Sequence, residues 1–326
     1  MKTKTSSNII DYIRGKGRVS AKELVDHFGI SRQALFKHHL QKLLSSGQLS
    51  KIGKPPKVFY FIPEPKIKEL KTKLNAPTTN LINNNYLIIT PAGEKKEGLS
   101  GFIYWCQKNN FDVVKTAHDY ALTIKKFKRF YKDGLIDGLP KIRSSFAQVF
   151  LDKLFYLDFY SIERFGKTRL GQLLLYAKQS QNTSLMKELI DELQPRIQQV
   201  IKKYEIEATG FIPPTVKREK QFMNALQKNL RLNMRIISLV KVSGDIVVPQ
   251  KTLNKLPDRI ENAKKTIVVS EAISADNILL IDDAVGSGAT LNETAGQLRR
   301  QNLARGKIIG LAITGSFKGF DVISEV

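Results

Sequence analysis

The chain has 326 residues, 42% of them apolar, and a net charge of +23 from 53 Lys and Arg against 30 Asp and Glu. That length allows two or three domains with sizeable cores, and that charge points to an anionic partner such as nucleic acid or nucleotide phosphate. One cysteine excludes a disulfide framework and fits the cytoplasm. The four histidines have no Cys or acid at ligand spacing, which argues against a structural zinc. No apolar run of about 18 residues is present, so no membrane partner is expected.

Residues 1–62 predict three short helices and a hairpin. Ile9, Ile10 and Ile13 share helical spacing. Ser20 and Glu23 stand three apart as a capping box, ahead of Leu24, Val25 and Phe28, and Gly29 ends that helix. Ser31 caps a third helix with Leu35, Leu40, Leu43 and Leu44 facing inward. The runs QLSKI and KVFYFI, joined by GKPP, predict two strands. This order resembles the winged helix-turn-helix, a DNA-binding family, over about 60 residues. The resemblance implies that the third helix enters the major groove. Arg32, Gln33, Lys37, His38 and Lys42 would then face DNA, with Lys51, Lys54 and Lys57 of the hairpin on the backbone. Residues 1–75 hold 16 Lys and Arg against 5 Asp and Glu, a net +11 that suits such a partner.

Residues 66–85 read as a linker of Pro, Lys, Asn and Thr. Residues 86–154 read as a mostly helical connecting segment after one strand, YLIIT. Within it, KKFKRFYK mixes cations with rings. Such a mix can grip single-stranded nucleic acid, but a helix with its rings turned inward and its lysines solvated is the plainer reading.

The stretch NILLIDDAVGSGATLNE, Asn277 to Glu293, carries the most chemistry. Four apolar residues, Ile278 to Ile281, predict a strand buried on both faces of a parallel sheet. Asp282 and Asp283 follow where open α/β sheets place ligands. Gly286, Ser287, Gly288, Ala289 and Thr290 then form a small-residue turn into a helix, where backbone N–H groups converge on an anion. Two carboxylates accept hydrogen bonds from two ribose hydroxyls, and the turn takes the phosphate, so the pattern asks for a ribose 5-phosphate. A P-loop would need a Lys after the second glycine, and a dinucleotide fingerprint would need a third glycine. Neither is here.

The stretch resembles the signature of type I phosphoribosyltransferases, with Gly286 where a Thr or Ser is usual. Upstream, Pro213, Lys217, Arg218, Phe222, Gln250, Leu253, Arg259 and Asn262 match the ComF type. Gln221 and Met223 depart from that type's Gly and Asn. The helix from Phe165, FGKTRLGQLLLYAKQS, resembles that type's opening helix. The likeness covers residues 155–326. It implies phosphoribosyl pyrophosphate with Mg²⁺ as ligand, the metal entering on the pyrophosphate and near Asp282 and Asp283. It also implies Lys217, Arg218 and Arg259 as neutralising cations. No general base is evident, and this chemistry works by electrostatics and positioning.

The expected fold class is α/β. It comprises an N-terminal winged helix (1–65), the linker and helical segment, and a C-terminal phosphoribosyltransferase-like parallel sheet flanked by helices. Such a fusion resembles retron effectors of antiviral defence, which implies multicopy single-stranded DNA and a reverse transcriptase as partners. It is also similar to purine-repressor regulators that sense phosphoribosyl pyrophosphate, and to competence proteins that handle single-stranded DNA. A homodimer is expected only from the habit of winged helices.

Overall fold

The computed structural model describes residues 2–54, 57–63, 74–90, 93–214, 218–241, 256–270 and 274–317. The chain divides into two compact units, Met1–Ala117 and His118–Val326.

The first unit opens with α1 (Lys2–Lys16), β1 (Arg18–Ser20) and α2 (Ala21–Phe28). A helical stretch follows over 32–45: α3 (Arg32–Ala34), a π-helical segment Leu35–Leu40, and α4 (Gln41–Ser45). β2 (Ser50–Lys54) and β3 (Lys57–Phe61) complete it. The local signals act as expected. The Ser20 hydroxyl accepts from the Glu23 N–H while the Glu23 carboxylate accepts from the Ser20 N–H. Gly29 closes α2 in the left-handed region, at φ 61°. The Ser31 hydroxyl accepts from the Ala34 N–H at 3.1 Å. Ile9, Ile13, Val19, Leu24, Leu35, Leu40, Leu43, Leu49 and Tyr60 form one core. β1 was not foreseen. It pairs antiparallel with β3, which makes β3 the middle strand of three.

The remainder of this unit is α5 (Ala76–Asn85), β4 (Leu87–Ile89), β5 (Lys95–Glu97) and α6 (Gly98–Lys108). The linker expected over 66–85 is therefore corrected for 76–85, while 64–73 lie outside the described residues. The Asn/Thr composition masked a helix start. The Asn75 side chain caps Thr78 at 2.8 Å, Pro77 sits in the first turn, and Ile82 is buried.

The second unit carries most of α7 (Val113–Lys128), then β6 (Tyr131–Lys132), β7 (Leu135–Asp137), α8 (Leu139–Ser145) and β8 (Lys153–Phe159). α9 (Arg169–Ser180), α10 (Thr183–Lys203), β9 (Ala208–Phe211), α11 (Phe222–Leu230), β10 (Arg235–Ile237) and β11 (Leu239–Lys241) come next. The last described elements are α12 (Leu256–Thr266), β12 (Ile267–Val269), β13 (Ile278–Val285), α13 (Ala289–Arg300) and β14 (Ile308–Gly315). Seven strands form one sheet in the order β10-β9-β13-β14-β8-β7-β6. The five from β10 to β8 are parallel, and β7 and β6 continue antiparallel. Residues 131–137, expected in the helical segment, thus belong to the sheet. Strands of two and three residues are too short to show a period of two. KKFKRFYK follows the plainer reading at two rings: Phe127 is buried, and the Tyr131 hydroxyl donates to the half-buried carboxylate of Asp158. Phe130 is exposed and packs edge-on against Phe317.

All eight residues of β14 are buried, as are the first four of β13. Leu280 has no exposed surface. Leu280→Ala is expected to lower stability by about 2–5 kcal/mol, read as an earlier urea midpoint with an unchanged slope.

Candidate functional site

The position of Asp282 and Asp283 follows from strand order. From β9 the chain moves outward to β10, and from β13 it moves the other way to β14. β13 therefore borders the switch point where open sheets leave a crevice beyond their carboxyl ends. β9 pairs with β13 only as far as Phe211 opposite Ile281, whereas β14 pairs on to Gly315 opposite Val285. The acids begin one residue after β9 stops, and both are half-buried.

Two lysines meet them, and neither stood out in the sequence. Lys178, buried near the end of α9, donates to the Asp283 carboxylate at 2.5 Å. Lys241, half-buried at the end of β11, lies within the field of Asp282. Burial lowers the Lys241 pKa, and Asp282 opposes that shift. Burial, followed by the charge of Asp283, raises the Asp282 carboxyl well above the usual carboxylate range, while Lys178 and Lys241 pull it back. The Asp282 carboxylate also accepts the Asp283 backbone N–H at 2.8 Å. The Lys178–Asp283 pair joins positions 105 residues apart, so no local pattern announces it.

The turn after β13 is built for close approach. Gly288 has φ 83°, and a Cβ there would stand 2.5 Å from Ile142 of α8. Gly288 starts α13 with no side-chain cap, so nothing from its own side chain covers the first-turn N–H groups. Ser287 is buried and its hydroxyl accepts the Ala289 N–H at 3.3 Å. Ala289 is buried and Thr290 half-buried. One turn on, the buried Asn292 accepts from the Phe150 N–H and donates to the Gln148 carbonyl, which fixes the start of α13 against 148–150.

The other expected cations are placed less directly. Arg218 is half-buried ahead of α11, in a segment tied to the end of α9 by the Lys220 N–H donating to Gln181 at 2.8 Å. That helix end also carries Lys178. Arg259 is buried on α12, which packs along α13, and burial lowers its pKa. Lys217, Gln250 and Leu253 lie outside the described residues. In the first unit Arg32, Gln33, Lys37, His38, Lys42 and Lys51 are all exposed, while His39 is buried and bonded to the Ser6 hydroxyl at 2.8 Å. Lys54 and Lys57 sit opposite each other in the β2–β3 register.

No protein-family model matches the chain, and no curated protein matches it. Among solved structures, a hypoxanthine phosphoribosyltransferase from Staphylococcus aureus is similar with 16% identity and a TM-score of 0.22, covering 38% of this chain and 73% of that one. Among the described residues, no helix is long and apolar enough to cross a membrane.

The crowding of Asp282 has a measurable consequence. A carboxyl with a raised folded-state pKa costs no stability below its unfolded value of about 3.9, and costs progressively more as pH rises toward the folded value. Asp282→Asn is therefore expected to melt later than wild type at pH 8 and level with it near pH 4. A gain of about 1 kcal/mol would move the midpoint by about 2–4 °C. Calorimetric melting at the two pH values checks the sign.

Proposed function

We propose that the second unit is a phosphoribosyltransferase-like domain that binds a ribose 5-phosphate, as phosphoribosyl pyrophosphate or a nucleotide 5′-phosphate, and that the first unit carries a DNA-binding winged helix. One observation carries the ligand class. Two consecutive acids emerge where the central strand outruns β9, two residues before a glycine turn that opens a helix. The residues suit that ligand: carboxylates for the two ribose hydroxyls, and a turn of small residues at a helix start for the phosphate. Mg²⁺ would arrive on the pyrophosphate oxygens, beside Asp282 and Asp283, and would neutralise the departing charge. The residues of the chain bind and orient: Lys178 holds Asp283, Lys241 balances Asp282, and Arg218 stands in the segment that Lys220 ties to the end of α9.

The resemblance to retron effectors supports the setting we propose for these two parts: antiviral defence, with multicopy single-stranded DNA and a reverse transcriptase as partners. A regulator that senses phosphoribosyl pyrophosphate is the second reading. It is favoured by Gly286, which offers no hydroxyl to the phosphate, and by the closed Lys178–Asp283 pair, which a ribose would have to share.

Calorimetric titration of phosphoribosyl pyrophosphate with Mg²⁺ is expected to show binding to wild type and none to the Asp282→Asn, Asp283→Asn double variant. Equal binding by both would defeat the site assignment. Pyrophosphate release on adding candidate acceptors separates an enzyme from a sensor. For the first unit, Arg32→Ala with Lys37→Ala is expected to weaken duplex DNA binding and flatten the slope of log K against log salt by about 0.9 for each phosphate that is no longer neutralised. Ligand binding at the second unit should be untouched in that variant.

A further inference from the structure

The outer face of the N-terminal sheet breaks the usual alternation. An antiparallel sheet with one face on a core should present polar residues on the other. On β3, Val58 and Tyr60 belong with the core, and Ile62 just beyond its end packs there as well. Phe59 and Phe61 fall between them, on the opposite face, and neither belongs to that core. The register puts Arg18 and Ser50 on either side of Phe61, and Ser20 and Ile52 on either side of Phe59. Ile52 is 50% exposed, and both phenylalanines are only partly buried. The Arg18 guanidinium lies 5.5 Å from the Phe59 ring centre. No Asp or Glu stands in these two rows.

We propose that this face is a stacking platform for the bases of single-stranded DNA, separate from the helical surface of 32–45. Three features select that occupant. The two rings lie two residues apart on the middle strand, about 7 Å along it. That is about twice the 3.4 Å rise per nucleotide, so each ring has room for its own base. The rim carries a cation, Arg18, over the Phe59 ring, as phosphates require and an apolar protein partner does not. Bases inside a duplex are covered by their neighbours, so only an unpaired strand offers faces to these rings. The inference does not depend on duplex binding or on the ribose-phosphate site.

The test is fluorescence anisotropy of a labelled oligothymidylate titrated with the full chain, for wild type, Phe59→Ala and Phe61→Ala, across a salt series. Each substitution is expected to weaken binding about tenfold or more. The salt slope should stay unchanged, because stacking releases no counterions, whereas Arg18→Ala should flatten it. Phe61→Leu keeps apolar volume without a flat ring and should weaken binding in a chain whose melting is unaltered. If the alanine variants fail to fold, photocrosslinking of an iodouracil-bearing strand to wild type should map to the peptide holding Phe59 and Phe61. Full affinity in a folded Phe61→Leu chain, or crosslinks elsewhere, would overturn the proposal. So would tighter, ring-dependent binding of oligouridylate, which would make the occupant RNA. Self-association that vanishes in the same variants, with no change in strand binding, would instead make this face a contact between two copies.

Discussion

The second unit depends on the double-sided pairing of β13. A strand with neighbours on both edges and both faces buried must be apolar, and Ile278 to Ile281 are. Polar residues can enter only where one neighbour ends. β9 ends opposite Ile281, and the next residue is Asp282. The location of the acids is thus set by the length of a different strand, and the depth of the crevice by how far β14 continues past it.

That placement sets two charges side by side in partial burial, an arrangement that costs stability unless it is balanced. The balance comes from distant parts of the chain: Lys178 from α9 on one side, and Lys241 from the β11 end on the other. In the ribose-phosphate site we propose, ligand chemistry and folding stability would pull against each other, as they commonly do where a site needs strained electrostatics. The turn that follows shows a milder form of the same conflict. Gly288 gives up the stabilising side-chain cap that α13 would otherwise have, and of the first-turn donors the Ala289 N–H is met by the Ser287 hydroxyl.

Much of this could be read directly from the residues, because the causes were local. The Ser20–Glu23 box, the Gly29 stop, the Ser31 cap and the Ile278–Ile281 run each carry their reason within a few positions. What escaped were features whose cause lies elsewhere. β1 exists because β3 offers it an edge, and Tyr131–Lys132 is a strand only because β7 lies beside it. α5 hid behind its own polar composition. Lys178 looked like one more cation on an amphipathic helix, since nothing near it in sequence points to Asp283. Side-chain pairs set by tertiary contact leave no spacing to count.

The wide turn within 32–45 has a consequence of its own. Leu35–Leu40 is π-helical, with Leu35, His39 and Leu40 buried and Phe36, Lys37 and His38 exposed. One residue more per turn rotates everything downstream about the helix axis relative to everything upstream. Arg32, Gln33 and Lys42 do not share one straight stripe along the helix. The exposed side chains of this stretch are therefore spread around the helix.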